Sequence, residues 1–286
     1  MSEAILPAAA RARGSVWGFA AIGEGLWGWR AVRLVSFLVY LFMFAPIIVT
    51  MILSFNASQF GGFPMTGFSL RWFGVLTHND TVLRAFRVSL IVGGTTALIC
   101  TVLGILAAMA LVRYEFPGKE WVNALLISPV LIPETVLAVG LLLFLHWLQQ
   151  PRTLLLMLMG HVMMSLPYVV LVVQARLIGI KRVYEEAALS LGANRLQTFR
   201  EITLPLLMPA VLAGFLLAFT ISFDNVTATL FWRPPGVETL PTQIYSMLHT
   251  SISPEINALG TLMVLITVGL PLVGGGLARF LARGQR

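Results

Sequence analysis

Charge is scarce in this sequence. Only 11% of its 286 residues are Asp, Glu, Lys or Arg, against 58% hydrophobic residues and a mean hydropathy of +0.88. A soluble domain carries about 25% charged residues, so a water-soluble globule is excluded and a polytopic membrane protein is indicated. Cysteine is nearly absent. Cys100 stands alone inside an apolar run, which rules out a disulfide framework or a thiol metal site within one chain. A phosphate-cradling loop is also missing. The one Gly-Lys pair, Gly118-Lys119, is followed by Glu120 and preceded by no glycine-rich run, so any nucleotide must be handled by a partner. No Ser-His-Asp set and no metal-spaced histidines occur. His146 and His161 are isolated and are expected to be ordinary packing or interfacial residues. No small-x-small cleavage site follows the first apolar run, so no cleaved leader is expected.

What remains is long apolar runs. Hydrocarbon is crossed by about 20 apolar residues, and six candidate spans follow: Leu34–Phe55, Val88–Val112, Trp121–Leu145, Thr153–Gln174, Leu206 to about Thr229, and Asn257–Phe280. Pro46 and Pro167 sit within the first and fourth, and Pro129 and Pro133 interrupt the third. Gly104 and Ala108, four apart in the second, permit close helix approach. Asn56–Arg87 reads as a mixed loop, and Leu240–Leu248 as a short segment dipping back towards the membrane. Residues 1–33, with four arginines and Trp17, Trp27 and Trp29 among five glycines, read as a segment at the lipid interface or as a tail.

Six spans place both termini on one side. Of 19 Lys and Arg residues, 14 lie in the segments on that side (1–33, 113–120, 176–200 and 279–286) and 5 on the other. Positive residues accumulate on the cytoplasmic side, so the termini are expected there. The net charge of +7 is read in this way and not as a nucleic-acid interface.

The longest polar interval in the second half runs from Tyr184 to Pro205. Val183, Ala187 and Leu191 share one helical face. Gly192 offers a left-handed stop, Asn194 a cap for a second short helix over Arg195 to Thr203, and Pro205 suits the first turn of the following span. A helix–turn–helix on the cytoplasmic face is expected over 178–205. Two acidic residues, Glu134 and Asp224, lie in or near spans, where a carboxylate is costly and normally faces a polar cavity or a partner. Each adjoins helix breakers or polar neighbours, which suits either a cation's path or, for Glu134 after Pro133, the N-cap of a resumed half-helix.

The interval Glu186-Ala187-Ala188, three residues, Gly192, nine residues, Ile202, one residue, Leu204-Pro205 resembles the cytoplasmic loop motif of binding-protein-dependent ABC importer permeases. Pro133-Glu134-Thr135, Ser222-Phe223-Asp224-Asn225, the run from Leu240-Pro241 to Met247, and Ser253-Pro254-Glu255-Ile256-Asn257 resemble the spermidine/putrescine-type branch, specifically the second permease of its pair. The likeness covers roughly residues 34–280. It implies an all-α type I importer permease fold, with a transmembrane domain over 34–283 in the bacterial inner membrane. It implies ATPase docking through Glu185, Glu186, Ala187, Ala188, Gly192, Ala193, Ile202, Leu204 and Pro205, and a substrate path past Glu134, Ser222, Asp224, Asn225 and Tyr245. The implied partners are a second permease, two ATP-binding subunits that hold ATP and Mg, and a periplasmic binding protein. This chain itself would bind no cofactor and catalyse nothing. The branch usually has a second acidic residue where this chain has Asn225, so an amino acid, an aminophosphonate or a sugar-amine conjugate stands beside a polyamine as substrate. The competing class is an ion-coupled secondary transporter using Glu134 or Asp224. Such folds usually carry an internal repeat, and none is visible here.

Overall fold

The computed structural model describes residues 26–59, 62–250 and 253–283. The interfacial reading of residues 1–33 therefore lies mostly outside the described residues. All regular structure among them is helical. Helix α1 (Leu26–Leu53) belongs, as far as Ile52, to one compact unit, and the described residues from Leu53 onward form a second. Helix α1 begins eight residues before the expected apolar run and stops just short of Phe55. Its side chains from Trp29 to Phe44 are almost all exposed, as befits a helix whose solvent is lipid.

The second unit contains α2 (Arg71–His78), α3 (Asp80–Arg113), α4 (Lys119–Leu131), α5 (Glu134–Trp147), α6 (Leu154–Ile178), α7 (Val183–Ser190), α8 (Arg195–Thr198), α9 (Leu204–Phe223), α10 (Thr227–Trp232), α11 (Leu240–Thr250) and α12 (Glu255–Arg283). The expected mixed loop thus holds an amphipathic helix and the first two turns of α3. Asn79 starts α3 by accepting from the N–H groups of Thr81 and Val82. Hydropathy marks membrane depth and not helix ends, so the polar first turns were invisible to it.

Helices α3, α6 and α9 pack pairwise and hold the core. Val169 of α6 is the knob at their crossing. A Cβ on Gly104 of α3 would lie 2.7 Å from its Cγ1, and one on Gly214 of α9 would lie 3.0 Å away. The missing side chains let three backbones approach around one buried valine, as small residues do in membrane interfaces. Ala108, one turn after Gly104, is fully buried.

Two expected spans are broken. The third splits into α4 and α5, bent by 108°. Ile132 is extended (φ −96°, ψ 131°) because Pro133 disfavours the helical region for its predecessor. The fifth ends at Phe223 instead of continuing to Thr229, and a separate helix, α10, starts at Thr227. Trp232 closes α10 against its neighbours. Its Nε1 donates to the Ala138 carbonyl of α5 at 2.9 Å, and Gly160 of α6 makes room for the ring, where a Cβ would stand 2.4 Å from Cε3. Helix α10 is the main packing partner of α5. Five described helices are long and apolar enough to cross a membrane, and the α4–α5 pair makes a sixth if counted as one span. The segment after α10 is tied down as well. Arg233 pairs with Glu238, Glu238 accepts from Thr242, and Leu240 N–H donates to Ser89 Oγ of α3 at 2.7 Å, so α11 starts from a fixed point.

Candidate coupling loop and translocation pocket

The polar interval folds as its local signals dictate. Helix α7 ends in a full Schellman motif. Gly192 adopts φ +90°, its N–H donates to the Leu189 carbonyl, and Ala193 N–H donates back to Ala188. Asn194 then makes a capping box. Its Oδ1 accepts from Gln197 N–H at 2.9 Å, while Gln197 Oε1 accepts from Asn194 N–H at 2.8 Å. Helix α8 runs through a π-helical turn, Phe199–Thr203, into α9, where Pro205 occupies the first turn.

The loop is fixed to the end of α3 by two arginines that the motif does not include. Arg113 pairs with Glu185 at 3.0 Å, both largely buried, and also donates to the Ile180 carbonyl. Thr203 Oγ donates to the same carboxylate at 3.0 Å, which joins both limbs of the loop. Arg182 Nη2 donates to the carbonyls of Val112 and Arg113, satisfying the C-terminus of α3. Glu185 is thus an internal brace. Glu186, in the motif position, is exposed and makes no side-chain bond among the described residues. Ala187 and Gly192 are exposed with it, whereas Ala188, Ala193, Ile202, Leu204 and Pro205 are half-buried. The shared face of α7 stands open: Val183 is 64% and Leu191 90% exposed. Sequence reading counted Arg113 and Arg182 only as orienting charges. Their one signal was position, at the end of an apolar run and at the entrance to the polar interval.

The second site lies where the two broken spans meet. A pocket of about 620 Å³ is bounded by the end of α4, the start of α5, α6 and the α9–α10 junction, with Glu134, Asp224, Asn225, Tyr168 and Thr220 among its walls. Asp224 is exposed and its carboxylate makes no bond among the described residues. For Glu134, a place on a cation's path and the N-cap of its own half-helix were both open. It sits at the first position of α5, but its Oε1 accepts from Asn225 Nδ2 at 2.8 Å and from Ala228 N–H at 3.3 Å. It therefore caps α10, 94 residues ahead in the chain.

Ser222 is not on this pocket. It is buried and turns to His161 Nδ1 at 2.8 Å. His161 is 2% exposed, packs edge-on against Trp232, and uses its other nitrogen on Thr229 Oγ at 3.1 Å. Tyr245 is also elsewhere, its ring tilted against that of His249 of α11 with centroids 4.3 Å apart. The expected five-residue path is thus three residues at a pocket, one buried behind it and one on another helix. Among the described residues, no group of His, Cys, Asp and Glu is placed to hold a metal ion.

An all-helical membrane unit with a braced polar loop at one end of its core helices, and a charged pocket where two spans break, is built as a solute permease. The chain belongs to the family described as binding-protein-dependent transport system inner membrane component, matched over residues 100–286. It is 37% identical over 247 residues, 86% of this chain and 93% of the relative, to the spermidine/putrescine transport system permease protein PotC of Escherichia coli K12. It is likewise 37% identical over 243 residues, 82% of this chain and 85% of the relative, to the putrescine transport system permease protein PotI of the same organism. Its fold matches a chain in the crystal structure of a bacterial alginate ABC transporter in complex with a pentasaccharide-bound periplasmic protein. That match has a TM-score of 0.70, 17% identity, and coverage of 92% of this chain and 97% of that one. The chain is a membrane subunit of an ABC importer, which decides against the ion-coupled secondary transporter.

Proposed function

We propose that this permease forms half of the pathway for a polyamine or a related amine-bearing solute, with Glu134 and Asp224 meeting the ammonium groups. The observation that carries this reading is the pair of carboxylates at one pocket between broken spans, with Asp224 left unpartnered. Carboxylates at membrane depth are costly and are kept where they serve a path. In a water-poor pocket each attracts a cation several times more strongly than in bulk water. The substrates in the names of PotC and PotI, a diamine and a triamine, support the same chemistry. A second permease would complete the pathway. Two ATP-binding subunits carrying ATP and Mg would dock on the loop around Glu186 and Gly192, and a periplasmic binding protein would deliver the solute.

Asp224→Asn removes the charge and keeps the size. In proteoliposomes of the assembled transporter, putrescine uptake per complex is expected to fall about tenfold, with binding-protein-stimulated ATP hydrolysis held within about twofold of wild type. An unchanged uptake rate would remove Asp224 from the path. A lower complex yield with a normal rate per complex would give it a structural role instead.

We place the termini and the coupling loop in the cytoplasm, on the strength of the 14-to-5 division of positive residues. With Cys100 replaced by Ala, a cysteine at exposed Ser190 should react with an impermeant maleimide only after permeabilisation. One at exposed Thr66 should react in intact spheroplasts. The reverse pattern would overturn the orientation.

A further inference from the structure

The pocket is backed by a chain of hydrogen bonds whose directions are fixed by counting protons. Thr229 has one hydroxyl proton, and it points to the Asn225 carbonyl at 2.7 Å, with Asn225 Oδ1 at 3.1 Å. The His161 Nε2 beside that hydroxyl must therefore donate to it. In a neutral ring Nδ1 is then an acceptor, and Ser222 donates to it. The Asn225 amide is oriented by the same residue, because Thr229 N–H donates to Oδ1 at 3.1 Å. That leaves Nδ2 only one direction, towards Glu134 Oε1 at 2.8 Å. Thr229 is fully buried and Asn225 9% exposed, so the bonds between Thr229, His161 and Asn225 are shielded from water, while the exposed Glu134 carboxylate faces the pocket.

We infer that Thr229 and His161 are positioning residues for the pathway: through the Asn225 amide they hold the Glu134 carboxylate in the orientation that receives the substrate's ammonium group. The inference rests on the proposed cation path and adds residues that do not touch the substrate. With Oε1 held by two donors from the α10 side, Oε2 is the oxygen left for a cation. If the amide turned over, its oxygen would face the carboxylate and repel it. The same bonds join α9, α6, α10 and α5 at the two breaks.

The test compares putrescine uptake with ATP hydrolysis in the assembled transporter, for Thr229→Val, Thr229→Ser and Glu134→Gln. Thr229→Val keeps the shape and the backbone N–H on Oδ1, and deletes the hydroxyl that takes the imidazole proton and that holds the Asn225 carbonyl and Oδ1, so the amide loses one of its two holders. Uptake per complex should fall about fivefold, the value of one lost hydrogen bond between neutral groups. Binding-protein-stimulated ATP hydrolysis should stay within about twofold, and Thr229→Ser should recover most of the uptake. A purely structural role would lower uptake and hydrolysis together, and that result overturns the inference. Normal uptake in Thr229→Val with impaired uptake in Glu134→Gln also overturns it while leaving the path intact. Normal uptake in Glu134→Gln would overturn the path reading itself. If Thr229→Val does not assemble, His161→Gln against His161→Phe decides. Gln can donate to Thr229 and Phe cannot, so equal uptake per complex in the two overturns the inference.

Discussion

Gly192→Val is expected to abolish uptake and to leave ATP hydrolysis unresponsive to the loaded binding protein. The residue holds φ +90°, and both Schellman bonds depend on it. A β-branched side chain at such a φ costs about 1–3 kcal/mol, comparable to everything the short α7 gains from its cap. The loop would relieve the strain by unwinding its last turn, moving Leu191 and Ala193 away from the exposed face that carries Glu186. No neighbour stands within 4 Å of a Cβ built at this glycine, so the strain is in the backbone and size within the subunit is not at issue. That separates two explanations of a loss. Gly192→Asn tolerates the left-handed region and should keep more than about half of the uptake if only conformation matters. Equal loss in Asn and Val would mean that a partner presses against the glycine itself. Wild-type stimulated hydrolysis in Gly192→Val would overturn the assignment of this loop to coupling. Because Arg113, Glu185 and Thr203 brace the loop from inside, the complex should still assemble.

The parts of the molecule legible in the sequence were those written in a few consecutive residues. Gly192, Asn194 and Pro205 each carry a conformational preference that needs no distant partner, and each does in the structure what that preference dictates. Pro133 likewise marked a break. Its angle was not legible, since it depends on how α5 rests on α10. The contacts that set the site join residues far apart in the chain: Arg113 with Glu185 across 72 positions, and Asn225 with Glu134 across 91. Periodicity says which face is apolar but not which buried polar atom meets which. Glu134 was thus read as lining a cation's path or capping its own helix, and His161 as packing or interfacial, although both belong to one network through Thr229. Ser222 stands two residues before Asp224 in a motif and turned to the opposite side, because residues two apart in a helix lie about 200° apart. Tyr245 shared only the motif, not the place.

The Asn225 substitution in this chain can be put to use. Asn225→Asp places a second carboxylate 2.8 Å from Glu134 Oε1, where the amide now donates. Two carboxylates at that distance do not both ionise without a cation between them. In the free pocket a proton would bridge them, and the net charge would equal that of the present Glu134–Asn225 pair. The Thr229 N–H would still meet one oxygen of the new side chain, so the backbone at the break should keep its course. An arriving ammonium group can take the place of the bridging proton, and solute binding is then linked to release of one proton. Linkage fixes the sign: fewer protons bound in the loaded state means that loading is favoured as pH rises. The ratio of putrescine uptake in Asn225→Asp to wild type, measured in proteoliposomes at saturating binding protein, is expected to be near unity in acid. It should climb by up to about tenfold per pH unit where the bridge titrates. The same ratio for 2-aminoethylphosphonate, which carries one ammonium group and a phosphonate, should climb less, because its anionic end gains nothing from a second carboxylate. A flat ratio for both solutes would mean that no ammonium group passes between residues 134 and 225. The cation would then be met by Asp224 alone.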